Sequence, residues 1–230
     1  MAGGTISINV KDGSFDAYVA KPASGDGPAI VVIQEIFGVN PWIREVADRY
    51  AAMGYVAVAP DLFWRIRPGI QLNDRDPAEL QQAFDLFGQF DVAKGVEDIQ
   101  ATIDAARVMS TGKVGAVGFC LGGLLSYLTA CRTDVDAVSS YYGVAIDNHL
   151  NEADKIAKPT LVHIAGEDKF VSKEAQEKIR LGLSTNPQVT VFAYPGQEHA
   201  FARDRGEHYD ADSAKLANQR TEDLFRKALS

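Results

Sequence analysis

One cysteine of the chain stands in a sequence that is typical of a catalytic nucleophile. Cys120 lies in Gly118-Phe119-Cys120-Leu121-Gly122-Gly123, a Gly-x-nucleophile-x-Gly pattern with cysteine in place of serine. A buried strand is predicted before this segment and a helix after it, and so tight a turn requires flanking residues without side chains. The helix N-terminus also favours a thiolate. The alternative is a buried structural cysteine beside glycines that tighten the packing.

Two later segments could supply the base and the acid that a thiol nucleophile needs. Gly166-Glu167-Asp168 and Gly196-Gln197-Glu198-His199 each follow a predicted strand. In α/β-hydrolases the nucleophile, the acid and the histidine follow one another in this order along the chain. We therefore predict His199 as the base, while these residues alone leave Asp168 and Glu167 open as the acid.

The chain offers few alternatives to these residues. Among its four histidines, His149 falls in a polar loop, His163 within a predicted strand and His208 before the last helix. We expect His149 and His208 to face solvent and His163 to be packed. Cys131 has no motif around it and is expected in the core. No paired ligand spacing such as HxxxH or CxxC indicates a metal, and we predict neither a metal nor a cofactor.

The composition is that of a soluble globular protein. With 230 residues, 46% of them hydrophobic and 23% charged, we predict a single domain over residues 1–230. The net charge of −8 argues against a nucleic-acid surface. The first nine residues do not suggest a signal peptide, and no apolar stretch reaches the ~20 residues of a membrane helix. Two cysteines form no disulfide framework, so we expect a cytoplasmic protein without membrane or nucleic-acid partners.

Buried strands alternate with helices along the chain. Thr5–Val10 and Ser14–Ala20 predict an N-terminal β-hairpin around Asp12-Gly13. Further strands are predicted at Ala29–Gln34, Tyr55–Ala59, Lys113–Phe119, Ala137–Tyr142, Thr160–Ala165 and Val189–Tyr194, and helices at Trp42–Met53, Pro77–Phe87, Val92–Met109, Leu121–Ala130, Lys173–Leu183 and Ser213–Leu229. This alternation predicts an α/β class with a mostly parallel central sheet flanked by helices, whose site lies at the carboxyl ends of the strands. Leu62–Arg75 has no clear period and is predicted as a long connection of the kind that is often functional.

Five blocks in the right order resemble the dienelactone hydrolase family almost end to end. They are Gln34-Glu35-Ile36-Phe37-Gly38, Gly118-Phe119-Cys120-Leu121-Gly122-Gly123, Tyr141-Tyr142-Gly143, Gly166-Glu167-Asp168-Lys169-Phe170 and His199-Ala200-Phe201-Ala202-Arg203. The resemblance implies an α/β-hydrolase fold and favours Asp168 over Glu167 as the acid. It also implies carboxymethylenebutenolidase activity, in which a dienelactone is opened to maleylacetate through an acyl-enzyme. Many members are monomers, and we expect a monomer here.

The resemblance implies further roles beyond the triad. Glu35 matches a glutamate that can accept the thiol proton, and Arg203 matches an arginine that engages that glutamate and the substrate carboxylate. Without the resemblance, Glu35 would be interpreted as a solvated loop charge and Arg203 as a surface residue. The backbone amides of Ile36 and Leu121 match the expected oxyanion hole.

The sequence also departs from the family pattern at the substrate pocket. Where similar enzymes carry a second arginine and a tyrosine, this chain has Leu80 and Phe84, although Arg75 could supply a charge from another loop. Phe37, Phe84 and Phe170 suggest an apolar pocket wall, with the core as the alternative for each. We therefore expect a weakened preference for the dienelactone. A carboxylesterase or thioesterase of broader specificity is the second hypothesis, and a non-catalytic small-ligand-binding protein is the third.

Overall fold

The computed structural model describes residues 3–230, and the chain divides into two compact units, residues 1–116 and 117–230. Met1 and Ala2, which open the segment predicted to lack a signal peptide, lie outside the described residues. None of the helices in the described range has the length and apolar composition that crossing a membrane requires. A single domain over the whole chain stays a prediction.

The strands of the first unit form the predicted N-terminal hairpin and two buried strands. β1 (Gly4–Val10) pairs antiparallel with β2 (Gly13–Ala20). β2 also pairs antiparallel with β4 (Val56–Pro60), and β4 pairs in parallel with β3 (Ala29–Ile33), which gives the order β1-β2-β4-β3. Every residue of β3 and β4 is buried. This burial explains why both strands are unbroken apolar sequences.

The helices of the first unit begin at side chains that cap them. These helices are α1 (Pro41–Ala52), α2 (Pro77–Gln89) and α3 (Val92–Val108). Asn40, Asp76 and Asp91 accept hydrogen bonds from backbone N–H groups in the first turn of α1, α2 and α3 respectively. Proline at the first position of α1 and α2 adds a fixed φ at a place where its missing N–H costs nothing. These local signals are why the predicted and observed helix starts agree closely.

Turns held by polar side chains build the connection between β4 and α2. The buried carboxylate of Asp61 accepts hydrogen bonds from the backbone of Phe63 at 3.1 Å and Gly69 at 2.7 Å. Arg65 forms an ion pair with the buried Asp98 of α3. The Asp61 contacts are local turns and the ion pair of Arg65 is a contact between distant residues, so the absence of a period in this segment did not mean an absence of structure.

The second unit contains the last strands, in the order β5-β6-β7-β8. They are β5 (Val114–Phe119, which begins just before the unit boundary), β6 (Ala137–Tyr141), β7 (Thr160–Ala165) and β8 (Val189–Tyr194). The helices are α4 (Leu121–Arg132), α5 (Lys173–Leu183) and α6 (Ala211–Ala228). β6 pairs in parallel with β7, and β7 with β8. The mostly parallel strands and the alternating helices confirm the predicted α/β class.

One segment of the second unit differs from the prediction. The polar loop predicted around His149 is wrong, because Ile146–Lys155 is a 3-10 helix. Buried Glu152 stabilises it by accepting hydrogen bonds from Arg132 of α4 at 2.5 Å and from Lys155 at 3.0 Å. The segment is rich in polar residues, which is why the sequence predicted a loop, and a 3-10 helix has three residues per turn and not the roughly 3.6 of an α-helix.

Candidate active site

The turn between β5 and α4 holds Cys120 in a backbone conformation that residues with side chains rarely adopt. Its φ is 58° and its ψ is −114°, which is a strained combination of the kind found at functional sites. A Cβ atom on Gly118 would lie 2.1 Å from the carbonyl oxygen of Gly122. The turn therefore requires glycine before the cysteine, as the sequence predicts.

The backbone around Cys120 anchors this turn to the neighbouring strand. The amide of Cys120 donates to the carbonyl oxygen of Tyr141 at 3.1 Å, and its own carbonyl accepts from Gly123 at 2.9 Å. Leu121 is the first residue of α4. The amides of the first helical turn have no acceptor within the helix, so the N–H of Leu121 is suited to an anionic ligand. The side chain of Cys120 is partly exposed at this helix end.

His199 and Asp168 form a buried hydrogen-bonded pair. Nδ1 of His199 lies 2.7 Å from Oδ2 of Asp168, and the two residues are 9% and 7% exposed. The other carboxylate oxygen of Asp168 accepts a hydrogen bond from the backbone of Phe170 at 2.8 Å. Both oxygens of Asp168 are thus held, and the imidazole is left with Nε2 for other partners.

The rival acid, Glu167, points elsewhere. It is exposed, and its carboxylate pairs with Lys173 at 2.8 Å. The structure therefore brings Asp168 to the histidine, and not Glu167. Adjacent carboxylates in a loop face different directions, which a sequence alone does not tell apart.

The loops that carry the acid and the histidine are joined directly. They follow β7 and β8, which are parallel neighbours, so both leave the sheet at the same edge. The amide of Glu167 donates to the carbonyl oxygen of Gln197 at 2.7 Å, and Lys169 pairs with Glu198 at 2.9 Å. A Cβ atom on Gly166 would lie 2.7 Å from the carbonyl oxygen of Tyr194. Glycine there allows the loops to approach closely enough for the hydrogen bond between Asp168 and His199.

The electrostatic surroundings of His199 favour its protonated form. Burial alone lowers the pKa of His199, but the negative charge of the Cys120 thiolate and hydrogen bonds to Asp168 and Cys120 outweigh it and raise the pKa to about 10. Nε2 makes no hydrogen bond of ordinary geometry with any residue in the described range, although Cys120 is near enough to act on the ring. The two observations fit a Cys120 sulfur that is close to Nε2 of His199 but not aligned for a hydrogen bond with it.

Two aromatic rings pack against the imidazole of His199. Phe170 meets it edge to face with 4.9 Å between ring centroids, and Tyr142 does so at 5.1 Å. Phe170 is 58% exposed, while Tyr142 is buried and has a φ of 37°. No role was predicted for Tyr142 from the sequence. Its signal was the position of Tyr141-Tyr142-Gly143 directly after a buried strand, where site residues collect.

Arg203 lies on the same loop as His199. Its amide donates to the carbonyl oxygen of Ala200 at 2.9 Å, and the residue is half-buried. A Cβ atom on Gly206 would lie 3.0 Å from Nε of Arg203. Because Gly206 has no side chain, the side chain of Arg203 fits beside it. Arg203 is half-buried, whereas a surface arginine is exposed. Its role toward a substrate stays a prediction.

The predicted site residues of the first unit lie at the end of β3 and on α2. Glu35, Ile36 and Phe37 are 1%, 7% and 5% exposed. Glu35 is therefore not the solvated loop charge that its position in the sequence would suggest without the family resemblance. Phe84 on α2 is 40% exposed, and Leu80 on the same helix is half-buried. Of the three predicted wall phenylalanines, Phe37 is buried, whereas Phe84 and Phe170 present their rings to solvent.

The remaining histidines and Cys131 have the burial predicted for them, although His149 lies in a 3-10 helix and not in a loop. His149 and His208 have side chains that are 30% and 32% exposed. His163 and Cys131 are buried. Within residues 3–230, no group of three or more His, Cys, Asp or Glu side chains is placed to hold a metal ion.

Cavity size does not locate the candidate site. A cavity of about 380 Å³ in the first unit is lined by the hairpin and by the connection after β4, including Asp16, Tyr18 and Trp64, and by none of the predicted site residues. A space of about 10 Å³ behind Asp168 is too small for a substrate. The geometry of Cys120, His199 and Asp168 is the stronger guide, because reactivity depends on the placement of these atoms.

Comparisons with known proteins give consistent matches along almost the whole chain. The profile of the dienelactone hydrolase family matches residues 15–229. A provisionally named carboxymethylenebutenolidase of Azospirillum brasilense is 46% identical over 222 residues, 95% of each chain. The carboxymethylenebutenolidase of Pseudomonas putida is 42% identical over 223 residues, which cover 96% of this chain and 94% of that protein.

A solved structure shows the same fold. A provisionally named dienelactone hydrolase from Klebsiella pneumoniae superposes with a TM-score of 0.84 at 28% identity, covering 97% of this chain and 98% of that one. This match over nearly the full length confirms the predicted α/β-hydrolase fold.

Proposed function

Because the chain belongs to the dienelactone hydrolase family, we propose that it hydrolyses a lactone or small carboxylic ester through Cys120, His199 and Asp168. Opening of a dienelactone to maleylacetate is the reaction that this proposal puts first, since two relatives carry the carboxymethylenebutenolidase name. The observation that carries the proposal is the buried pair of His199 and Asp168, whose Nδ1 and Oδ2 atoms lie 2.7 Å apart, with the pKa of the imidazole raised to about 10 by Cys120 and Asp168.

The first step is attack on the carbonyl carbon. The thiolate of Cys120 forms a carbon–sulfur bond, and the carbonyl electron pair moves onto oxygen. The backbone N–H of Leu121 at the start of α4 stabilises this oxyanion, and the family resemblance gives the N–H of Ile36 the same role. Such donors act on the charge that develops in the transition state, which is why their contribution to the rate is large.

The second step opens the ring. The oxyanion collapses, the bond to the ring oxygen breaks, and the leaving oxygen takes the proton from Nε2 of His199. A ring-opened thioester on Cys120 remains. The pKa of about 10 supports this role, because the imidazole holds its proton at neutral pH before the attack.

The third step releases the product. Neutral His199 takes a proton from water, whose oxygen attacks the thioester, and the carbon–sulfur bond breaks to give a carboxylic acid and the Cys120 thiolate. Asp168 accepts the Nδ1–H of His199 throughout, which fixes the tautomer and supports the positive charge. No step needs a cofactor or a metal.

Three further assignments come from the family resemblance. Glu35 accepts the proton of Cys120 when the thiol is the resting form, and its burial supports a role other than solubility. Arg203 binds a carboxylate on the substrate, supported by its half-buried place four residues after His199. Phe37, Phe84 and Phe170 are proposed to contact the substrate's apolar part.

A broader carboxylesterase or thioesterase activity is the second candidate. It is favoured by Leu80 and Phe84, which stand where similar enzymes carry an arginine and a tyrosine, and by the exposed ring of Phe170. A site that lacks one charged contact discriminates less well between an anionic substrate and a neutral one. Neutral esters should then be turned over at rates comparable to the lactone.

We also propose that the protein is a cytoplasmic monomer and that its binding partner is its small-molecule substrate, with no nucleic acid or membrane involved. Both cysteines of the chain are free thiols. A thiol nucleophile survives best in a reducing compartment. Analytical ultracentrifugation of the purified protein tests the monomer, and a dimer at micromolar concentration would contradict it.

The test compares hydrolysis of cis- and trans-dienelactone with hydrolysis of p-nitrophenyl acetate by the wild type and by Cys120→Ala. Cys131→Ala is the matched control, since it also removes a thiol from the same helix region. We expect Cys120→Ala to abolish turnover of every substrate and Cys131→Ala to retain it. Turnover of nitrophenyl acetate alone would favour the second candidate. Activity that survives in Cys120→Ala would overturn the proposed nucleophile, and ligand binding without turnover would indicate a non-catalytic protein.

A further inference from the structure

The side chain of Gln34 holds the peptide group between Glu35 and Ile36. Gln34 follows β3 directly and is 0% exposed. Its Nε2 donates to the carbonyl oxygen of Glu35 at 3.3 Å, and its Oε1 accepts from the amide of Leu62 at 3.0 Å. One partner is an acceptor and the other is a donor, so the side-chain amide has only one orientation that satisfies both.

The geometry of the peptide bond transmits this contact to the next residue. The carbonyl of Glu35 and the N–H of Ile36 belong to the same planar unit and, in a trans peptide, point in opposite directions. No peptide bond in the described range is cis. A hydrogen bond that fixes the direction of the Glu35 carbonyl therefore also fixes the direction of the Ile36 N–H.

We propose that Gln34 is a positioning residue that aims the Ile36 amide at the oxyanion. The inference rests on the proposed function, in which that amide is one of two oxyanion donors. A hydrogen bond weakens steeply as its angle departs from linearity. A donor that must reorient during the reaction stabilises the transition state less than one that is already in place. Gln34 is therefore expected to act on the chemical step and not on substrate binding.

The far end of the same segment is held by backbone contacts. The amide of Leu72 donates to the carbonyl oxygen of Phe37 at 2.9 Å, and Gly38 forms an isolated β-bridge with Gln71. Gly38 has a φ of 75°, and a Cβ atom there would lie 2.0 Å from the carbonyl oxygen of Ile70. This end restrains the chain after Ile36, whereas Gln34 holds the peptide that contains the Ile36 N–H.

A purely structural role for Gln34 predicts a different result. Gln34 also satisfies the buried amide of Leu62, and loss of that contact lowers stability whatever the reaction. The two roles separate if one assay forms an oxyanion and the other does not. Alkylation of Cys120 by iodoacetamide is a substitution at a saturated carbon and forms no oxyanion, but it needs the same accessible thiolate.

The experiment measures both reactions in Gln34→Met, which keeps the length of the side chain and removes its donor and acceptor. We expect kcat for p-nitrophenyl acetate to fall on the order of 10- to 100-fold with KM nearly unchanged, as for a weakened oxyanion donor. The alkylation rate of Cys120, followed by peptide mass spectrometry, should stay within about threefold of the wild type.

Asn40→Ala is the matched control, because Asn40 binds the carbonyl oxygen of Leu72 at 3.2 Å and caps α1 without touching the Glu35–Ile36 peptide. It should lower the melting temperature and leave kcat within about twofold of the wild type. If Gln34→Met does not fold, Gln34→Asn is used with the same expectation, since its shorter amide cannot reach both backbone partners at once.

The outcomes distinguish this inference from the proposed function. If the wild type shows no hydrolysis that depends on Cys120, the proposed function fails. If the wild type does hydrolyse through Cys120 but folded Gln34→Met retains full kcat, the positioning role is wrong. A parallel fall of kcat and alkylation rate, or an equal loss of kcat in Asn40→Ala, would also overturn it.

Discussion

His199 and His163 are both buried in the second unit, yet the pKa values of their imidazoles move in opposite directions. His163 is 0% exposed, and burial, with the positive charge of Arg220, lowers its pKa to about 3. Its ring nitrogens meet hydroxyl groups, Tyr194 at 2.8 Å and Thr221 at 3.1 Å. His199 is 9% exposed, and its pKa is raised to about 10.

The difference between the two residues lies in their partners and not in their burial. Burial disfavours the charged form of any histidine, and neutral hydroxyl groups do not compensate for it. The negative charge at Cys120 and the carboxylate of Asp168 do compensate and raise the pKa of His199. A buried imidazole surrounded by hydroxyl groups is part of the core, whereas one placed between two anions can hold and deliver a proton.

The largest expected effect comes from removing the anionic partner of His199. Asp168→Asn keeps the size of the side chain but removes its charge, so the pKa of His199 should fall and its tautomer should no longer be fixed. We expect kcat to drop on the order of 10³-fold. The pH above which kcat for the lactone falls should also move down from the region near the His199 pKa of about 10, because neutral His199 has no proton to give to the leaving oxygen. Both effects are measured by steady-state kinetics between pH 6 and 11.

Glu167→Gln is the control for this comparison. It removes a carboxylate one position away, but the side chain is exposed and pairs with Lys173. Exposed ion pairs contribute little, so the kinetics should stay within about twofold of the wild type. An equal loss in Glu167→Gln and Asp168→Asn would contradict the assignment of the acid.

The sequence predicted the α/β class and most element positions because buried strands and buried helix faces have local patterns of apolar residues. β7, β8 and α5 agree residue for residue with the prediction, and the other predicted strands and helices agree to within three residues at either end. The long connection after β4 was predicted, but the turns within it and the 3-10 helix Ile146–Lys155 were not. Contacts between residues distant in sequence stabilise them, Arg65 with Asp98 in the connection and Arg132 with Glu152 at the 3-10 helix, and such contacts produce no periodic pattern.

The site was predicted in its residue types but not in its orientations. Chain order and motif pointed to Cys120 and His199, whereas the choice between Asp168 and Glu167 required the family resemblance. Nothing in the sequence indicated that Gln34 contacts the Glu35 carbonyl or that Tyr142 packs against the imidazole. Both depend on the direction of a side chain at the end of a strand, and that direction is set by the tertiary structure.

The second prediction concerns stability and uses His163→Gln, which retains a hydrogen-bonding amide. The folded pKa of about 3 lies below the ordinary value of 6.5, so the stability that neutral His163 provides is present above pH 6.5 and is lost as the pH falls toward 3. Below pH 6.5 the free energy of unfolding should fall with decreasing pH in both proteins. We expect the slope of the wild type to exceed that of His163→Gln by about 1.4 kcal/mol per pH unit.

His199→Gln sharpens this prediction because its sign is opposite. With a folded pKa of about 10, the stability that protonated His199 provides is present below pH 6.5 and is lost as the pH rises toward 10. Urea unfolding from pH 4 to pH 10 measures both slopes. If the two variants change the pH dependence in the same direction, the contrast between the two histidines is wrong. The value of kcat should be retained in His163→Gln and lost in His199→Gln.

The smallest expected effect concerns the exposed ring that covers the imidazole. Phe170→Ala removes an edge-to-face contact worth about 1 kcal/mol and a proposed contact with the substrate. We expect KM for apolar nitrophenyl esters to rise about threefold to tenfold while kcat changes less. Leu216→Ala, which removes another exposed apolar side chain, should leave both constants unchanged. A larger effect on kcat than on KM would mean that Phe170 chiefly orients His199.

The most direct test of the account is to identify the acylated atom during turnover. The wild type is mixed with p-nitrophenyl acetate and quenched in acid within the first turnover, and the acetylated peptide is located by mass spectrometry. The account predicts an acetyl thioester on Cys120, which disappears in Cys120→Ala and accumulates when deacylation is slowed in Asp168→Asn. Turnover with the acetyl group on any other residue, or with no acyl-enzyme and full activity in Cys120→Ala, would contradict it.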